Sequence, residues 1–369
     1  MINPYFPEIQ GKFGFGFMRL PMQGDQIDIE HTTAMVDAFM AAGFNYFDTA
    51  HGYLSEQSEI VLRQTMTSRY PRDRYVLTNK LSPAYFNSPE DIRSIFQVQL
   101  DACGVEYFDF YLMHSQNTEL FAKYKACRAY ETALELKQEG KIRHLGISFH
   151  DTAEVLDQIL TEYPQIEVVQ IQLNYLDMES PKVQSRKCYE VCRKHNKPIM
   201  VMEPVRGGQL VNLPNAAKDI LPALGGGSNA SYALRFAAGF PGVCMVLSGM
   251  STLEMVEENC GFMKDCKPLD QQEMAAVQKV ADVINSLDLI ACTACKYCVD
   301  GCPAHIQIPD LFKCLNQKRR FSENNAQQTY ENFPVKASAC VQCGQCEDVC
   351  PQHLQIRDLL RTVSAELEG

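Results

Sequence analysis

Eight of the sixteen cysteines of this 369-residue chain fall in two runs near its C-terminal end. Cys292-Thr293-Ala294-Cys295-Lys296-Tyr297-Cys298-Val299-Asp300-Gly301-Cys302-Pro303 and Cys340-Val341-Gln342-Cys343-Gly344-Gln345-Cys346-Glu347-Asp348-Val349-Cys350-Pro351 both read C-x2-C-x2-C-x3-C-P, the second run lying 48 positions after the first. Three thiolates at this spacing wrap one face of an iron–sulfur cube, while the fourth, held behind a Pro-initiated turn, is directed at the neighbouring cube. The spacing therefore predicts exchanged ligands around two [4Fe–4S] clusters. Cys292, Cys295, Cys298 and Cys350 would hold one, and Cys340, Cys343, Cys346 and Cys302 the other. Structural zinc is the competing reading, but zinc sites use separated C-x2-C pairs rather than a run of three and a Pro-flanked fourth. The chemistry of such clusters is one-electron transfer.

The repeat continues beyond the cysteines. Pro303, His305, Gln307, Ile308, Asp310 and Leu311 recur as Pro351, His353, Gln355, Ile356, Asp358 and Leu359, which marks an internal duplication. Ile308, Leu311, Phe312 and Leu315 fall at helical spacing, so a helix is expected after each Cys-Pro. This part resembles the α-helical type of two-cluster ferredoxin, with Gln317 to Asn332 as a surface connection between repeats. His305 and His353 are read as surface or neighbouring residues, since each site already has four thiolates. The other cysteines, Cys103, Cys127, Cys188, Cys192, Cys244, Cys260, Cys266 and Cys314, are read as small core hydrophobes.

Upstream, a second chemistry depends on elements that must be brought together in space. Short apolar runs alternate with amphipathic segments: Phe13 to Leu20, Phe44 to Asp48, Tyr75 to Lys80, Phe108 to His114, His144 to Ser148, Val168 to Leu173, Pro198 to Glu203 and Gly242 to Ser248. One intervening segment, Ile29 to Ala42, has the 3.6-residue apolar rhythm and stops at Gly43. Eight strands alternating with helices predict a (β/α)8 TIM barrel over residues 1–285, followed by a small, mainly α-helical dicluster domain over 286–369. A doubly wound sheet is the alternative. In a barrel, the strand ends at Asp48, Lys80, His114 and Ser148 share the rim where active sites assemble, and Tyr53 lies one turn beyond Asp48. A phenol ordinarily ionises near ~10, so acid work near neutrality needs a neighbouring ammonium. Lys80 can supply it, with Asp48 keeping Lys80 charged and oriented. His114 would donate to a substrate oxygen, stabilising the alkoxide that develops as hydride arrives.

Residues 13 to about 262 resemble the aldo/keto reductase family, with Asp48, Tyr53, Lys80 and His114 matching its catalytic tetrad. Gly146-Ile147-Ser148, Val169-Gln170-Ile171-Gln172 and Glu257-Glu258-Asn259 agree with the family's nicotinamide-nucleotide site. The resemblance implies Ser148 and Gln170 at the carboxamide, Pro204, Arg206 and Gly207 in a pyrophosphate loop, Glu258 and Asn259 at the adenine, and Met18 and Met202 as further cofactor contacts. Many relatives place an aromatic ring where this chain has Met202. They also supply Lys and Arg for the NADP 2′-phosphate where this chain reads Ser248-Gly249-Met250-Ser251-Thr252-Leu253-Glu254-Met255. Without such cations a 2′-phosphate loses its main source of discrimination, so the cofactor is NAD(H) or NADP(H) with no NADP preference expected. Arg206 is read equally as a pyrophosphate contact or a surface ion pair. The whole chain is similar to a bacterial branch of the family with an appended ferredoxin-like domain.

Composition narrows the partners. A net charge of −11, from 34 Lys+Arg against 45 Asp+Glu, argues against nucleic acid. No window approaches the roughly 18–20 apolar residues of a membrane span. Met1-Ile2-Asn3-Pro4-Tyr5-Phe6 lacks a leader pattern, so a cytoplasmic location is expected. No flavin motif is visible. Gly14-Phe15-Gly16 lacks the third glycine of a dinucleotide fingerprint and is read as close backbone approach at the barrel mouth; Gly225-Gly226-Gly227 is read as a loop hinge. The expected partners are a small carbonyl or alcohol substrate and an external redox protein. Nicotinamide moves two electrons as hydride while each cubane moves one. A second reading therefore has the clusters serve an external redox protein, with the barrel as a docking or sensing module. A third has the clusters brace the fold.

Overall fold

Eight apolar runs become eight strands because both faces of each are covered, which favours near-continuous hydrophobic sequence over alternation. In this computed structural model, which describes residues 3–321 and 325–369, the strands are β1 (Phe13–Gly16), β2 (Tyr46–Asp48), β3 (Val76–Leu81), β4 (Phe108–Gln116), β5 (Ile142–Phe149), β6 (Val168–Gln172), β7 (Ile199–Met202) and β8 (Val243–Gly249). They pair in parallel and in sequence order, and β1 closes on β8, giving a complete barrel. The first strand is shorter than its apolar run. After Gly16 the Phe17 N–H donates to Asp48 O at 2.8 Å, and the chain turns into a small hairpin, Met22–Gln23 against Gln26–Ile27. Pro21 has no N–H to continue a ladder. Met1 and Ile2, at the head of the segment examined for a leader, and residues 322–324 of the 317–332 connection lie outside the described residues.

The helices are terminated by local chemistry. Helix α1 (Ile29–Ala41) starts where the Asp28 side chain accepts from the His31 N–H at 2.9 Å and stops before Gly43, whose φ is +93°. Helix α2 (Pro89–Cys103) has a reciprocal capping box between Ser88 and Asp91 and ends at Gly104, φ +67°. Such a cap stabilises a helix by roughly 0.5–2 kcal/mol. These stops return the chain to the same end of the barrel each time, so all eight strands run out at one mouth. Gly14 corrects the sequence reading of its neighbourhood. A Cβ there would lie 2.7 Å from Leu247 Cδ2 and 2.8 Å from the Tyr46 ring, so the close approach is to side chains of adjacent strands, whereas Gly16 has room.

The chain divides into two compact units, Met1–Pro204 with Leu234–Pro268, and Val205–Ala233 with Leu269–Gly369. Within the second, helix α3 (Ile308–Arg320) and helix α4 (Ile356–Leu367) follow the two cysteine runs, as the duplication predicts. Ile306, Leu311, Phe312, Leu315, Leu360 and Val363 form their shared core. The expected surface connection 317–332 is not a plain loop. Lys318–Arg320 complete α3, a helix spans Ala326–Glu331, and Tyr330 is buried with its hydroxyl 2.6 Å from Glu368 Oε1. The polar composition hid it because one buried ring anchors an otherwise solvated turn.

In the first unit the N-terminal segment closes the barrel end opposite the mouth. Phe6 and Ile9 join Tyr46, Phe110, Leu112, Met200 and Leu247 in one apolar cluster, and Asn3 Nδ2 donates to Cys244 O at 2.6 Å. His144, stacked on Phe110, lies 2.7 Å from Glu8 and 3.0 Å from Glu167. Burial opposes its charge, but the two carboxylates prevail and raise its pKa to about 9. Because this lies above the unfolded value of ~6.5, the stabilisation is complete below that pH and lost as pH rises through about 9. His144→Gln should therefore lower the unfolding midpoint strongly at pH 6, by up to about 3 kcal/mol of stability, and little at pH 10. An equal loss at both pH values would contradict an ionised His144.

Candidate functional site

At the barrel mouth, β2 delivers Asp48 and β3 delivers Lys80. The Lys80 side chain is wholly buried, yet its Nζ donates to Asp48 Oδ1 at 2.6 Å and to Thr49 O at 2.8 Å. Burial pushes the Asp48 carboxyl above its ordinary value and the Lys80 ammonium below its own, and the attraction between them opposes both shifts. A buried charge is tolerated only when paired in this way. Lys80 Nζ also stands 4.8 Å from the centre of the Tyr53 ring, which is itself buried. The chain reaches Tyr53 through a turn closed by its N–H to Ala50 O at 3.1 Å. Leu54, Ser55 and Glu56 follow at φ +53°, +52° and +67°, a left-handed run that is costly without glycine and is found where surroundings over-determine the backbone.

His114, from β4, meets Tyr53 edge to face with ring centres 5.9 Å apart. Its Nδ1 shares a 2.7 Å hydrogen bond with Ser82 Oγ. Burial, then the Lys80 charge, lowers its pKa well below the ordinary histidine value, so the imidazole is neutral. Sequence reasoning missed Ser82, and it missed a buried network behind the mouth. His51 Nδ1 lies 2.7 Å from Glu59 Oε2, while Asn79 Nδ2 and Gln99 Nε2 donate to Glu59 Oε1, and Tyr111 donates to Gln99. Gln99 Nε2 also donates to Lys80 O at 2.9 Å, fixing the strand that carries the ammonium. Glu59 and Gln99 lie on helices that the apolar pattern assigns only to the core, so no sequence signal joins them. Of the four aromatic residues in segments 82–89 and 116–125, Phe86, Phe121 and Tyr124 are buried; Tyr124 Oη donates to His114 O at 3.1 Å. Tyr85 alone of the four is partly exposed.

Ser148 and Gln170 are direct partners across the β5–β6 pair and both are buried. Ser148 Oγ accepts the Ser115 N–H at 2.8 Å, and Gln170 Nε2 lies 3.4 Å from Asp48 Oδ2. A hydroxyl and an amide converging beside the tetrad fit the carboxamide of a nicotinamide. Met202 ends β7, Met18 is half-buried in the turn after β1, and Pro204 is buried. Asn259 is buried and Glu258 exposed on the helix Leu253–Lys264. Arg206 and Gly207 belong to the second unit. There Arg206 is buried, and its Nη1 donates to Gln209 Oε1 at 2.7 Å. The 248–255 run carries no cation of its own, but folding brings Arg19 against Gly249, with its Nη2 3.4 Å from Glu203.

In the second unit the cysteines of the two runs line two separate cavities. Cys292, Cys295, Cys298 and Cys350 line one cavity together with Ile308, Phe312 and Leu354. Cys302, Cys340, Cys343 and Cys346 line a second with Ile306, Arg357 and Leu360. Four thiols around a space walled by apolar groups fit a [4Fe–4S] cube. Among the described residues, no three His, Cys, Asp or Glu side chains close on a point where a single ion would be held. Ala294 N–H approaches Cys292 Sγ at 3.4 Å, and Gln342 Nε2 approaches Cys340 Sγ at 3.4 Å. His305 and His353, both exposed and left-handed, donate their N–H groups to Cys302 O and Cys350 O. Of the scattered cysteines, all but the half-buried Cys266 are buried. Burial raises the thiol pKa of Cys188, Cys244 and Cys260 to about 12.

The model of the aldo/keto reductase family matches residues 12–282, and that of a 4Fe-4S dicluster domain matches residues 291–354. An NADH-specific methylglyoxal reductase of Escherichia coli K12 is 27% identical over 206 residues, covering 51% of this chain but only 59% of that relative. An aldo-keto reductase of Mycobacterium avium is 26% identical over 257 residues, covering 69% of this chain and 82% of the relative. The crystal structure of a Klebsiella pneumoniae aldo-keto reductase in complex with NADPH superposes with a TM-score of 0.59 at 22% identity, covering 73% of this chain and 90% of that one.

The cavity linings lead to a pairwise test of cluster ligation. Cys292→Ala and Cys350→Ala should each remove the same one of two cluster signals in EPR of the reduced protein, and the double variant no more than that. Cys340→Ala combined with Cys350→Ala should remove both. A surviving cluster in that last variant would contradict ligand exchange.

Proposed function

The chain belongs to the aldo/keto reductase family and carries a 4Fe-4S dicluster domain, and from that premise we propose that it interconverts a small aldehyde or ketone with its alcohol, using a nicotinamide cofactor. The observation that carries the proposal is the buried Lys80, held 2.6 Å from Asp48 and 4.8 Å from the Tyr53 ring. A bound nicotinamide supplies or accepts the hydride. Tyr53 supplies the proton to the carbonyl oxygen, or removes it in the reverse direction. An adjacent ammonium favours the phenolate left behind, by opposite charge. Two of the three Lys80 N–H donors are held by Asp48 and Thr49, which leaves one to face the phenol. His114 is neutral; with Ser82 donating to Nδ1, its proton resides on Nε2, which serves as a donor to the substrate oxygen. Ser148 and Gln170 orient the carboxamide, and Arg206 with Gly207 serves the pyrophosphate.

Arg19, the cation nearest the 248–255 run, is held by Glu203, so a 2′-phosphate would have to break an existing ion pair. That supports NADH at least as strongly as NADPH, in keeping with the NADH specificity stated for the Escherichia coli relative. The clusters, when present, supply one-electron transfer to an external redox protein; Cys343 is exposed and Val341 beside it is 65% exposed, giving such a partner an apolar place of contact.

Tyr53→Phe should lower the rate of carbonyl reduction by roughly 10²–10⁴-fold, with nucleotide affinity changed by less than about twofold because the phenol does not hold the cofactor. The assay is anaerobic reduction of a panel of small carbonyls, methylglyoxal included, with nucleotide binding measured by fluorescence. Unchanged turnover in Tyr53→Phe would refute the mechanism, and NADPH binding much tighter than NADH would refute the cofactor reading.

A further inference from the structure

Gln209 ends the loop that follows Pro204, and its buried side-chain amide is engaged at both ends. Oε1 accepts from Arg206 Nη1 at 2.7 Å, and Nε2 donates to the Cys292 carbonyl at 2.8 Å. Its own carbonyl accepts from Arg320 Nη2 at 3.0 Å, which ties the same residue to α3 behind the cysteine run. The loop lies directly on that run. A Cβ on Gly207 would be 2.7 Å from Thr293 O, too close for any side chain. Arg206, Gly207 and Gly208 have φ of +49°, +61° and +89°, and the turn is closed by Gly208 N–H donating to Val205 O at 3.0 Å and Gln209 N–H donating to Arg206 O at 3.1 Å.

We infer that Gln209 is a positioning residue that couples occupancy of the Arg206–Gly208 loop by a nucleotide pyrophosphate to the electron affinity of the cluster held by Cys292. This rests on the nucleotide reading above. An anion drawn onto Arg206 acts on the Gln209 amide through the 2.7 Å bond, and the amide acts on the Cys292 backbone. Hydrogen bonding and net charge around the ligand sulfurs are among the determinants of cluster potential. The sign follows from charge: a bound pyrophosphate disfavours an added electron, so it lowers the potential. By linkage, a reduced cluster weakens nucleotide binding by the same factor. A reduced dicluster module would thus promote nucleotide release without any electron passing between the two chemistries.

The test uses the full chain with both clusters and ADP-ribose, which carries the pyrophosphate but no nicotinamide and exchanges no electrons. An EPR-monitored redox titration should show one of two midpoint potentials moving down with saturating ADP-ribose. Calorimetry should show about tenfold weaker binding to the reduced protein, equivalent to about 59 mV for a one-electron couple. Gln209→Glu keeps the acceptor for Arg206 but replaces the donor to Cys292, and Gln209→Leu removes both. In each, iron, sulfide and ADP-ribose binding should persist while the shift disappears. A shift retained in both variants, no shift despite ADP-ribose binding to the unsubstituted protein, or a shift upward would overturn the inference. Failure of ADP-ribose to bind would instead bring down the nucleotide reading, and the inference with it. Should the Gln209 variants lose clusters, Arg206→Met cuts the relay outside the cysteine run. It should also abolish the shift, and a retained shift at saturating ADP-ribose would be equally fatal.

Discussion

A wholly buried ammonium is the constraint on which the barrel site depends. Lys80 lies among strands β2, β3 and β4, away from water, and is tolerated there because Asp48 and the Thr49 carbonyl meet it at hydrogen-bond distance. Removing one partner of such a pair costs about 3–5 kcal/mol, so the pair acts as a register pin between β2 and β3. The same register that opposes Asp48 to Thr78 places Tyr53 over the ammonium and His114 beside the phenol. Gln99, reaching from α2 to Glu59, Asn79 and the Lys80 carbonyl, holds the far side. One buried pair thus ties the positions of Asp48, Lys80 and the Tyr53 ring together.

The cysteine unit follows a different logic. Its two cavities are made by a duplicated segment in which each run contributes three thiols to its own cavity and one to its twin's. Neither half can complete a site alone, so the duplication is maintained by mutual need. The walls are largely apolar, with Ile306, Phe312, Leu354 and Leu360 among them, while Cys343 is exposed.

Much of this was legible in the residues. Eight apolar runs gave the strands because a parallel barrel strand is covered on both faces, and the cysteine spacing foretold which four thiols line each cavity. Asp48, Lys80 and His114 were legible as polar residues near the ends of otherwise apolar runs, and Tyr53 as a residue one turn beyond Asp48. What stayed hidden involves partners far apart in sequence. Ser82 beside His114, Glu59 beneath His51 and Arg19 against Gly249 leave no periodic trace, since each is one polar residue in a segment whose pattern is set by its apolar face. The helix at Ala326–Glu331 was masked by polar composition because a single buried Tyr330 anchors it.

The most direct test of the central claim, that carbon receives hydride while Tyr53 handles the proton, is isotope transfer in a single anaerobic turnover. NADH carrying deuterium in both C4 positions would be mixed with the cluster-loaded protein and a reducible aldehyde, and the alcohol analysed by mass spectrometry while the clusters are followed by EPR. One deuterium on the carbinol carbon of each product molecule, with cluster signals unchanged, is the expected result. Alcohol formed without deuterium, alongside newly reduced clusters, would contradict the account.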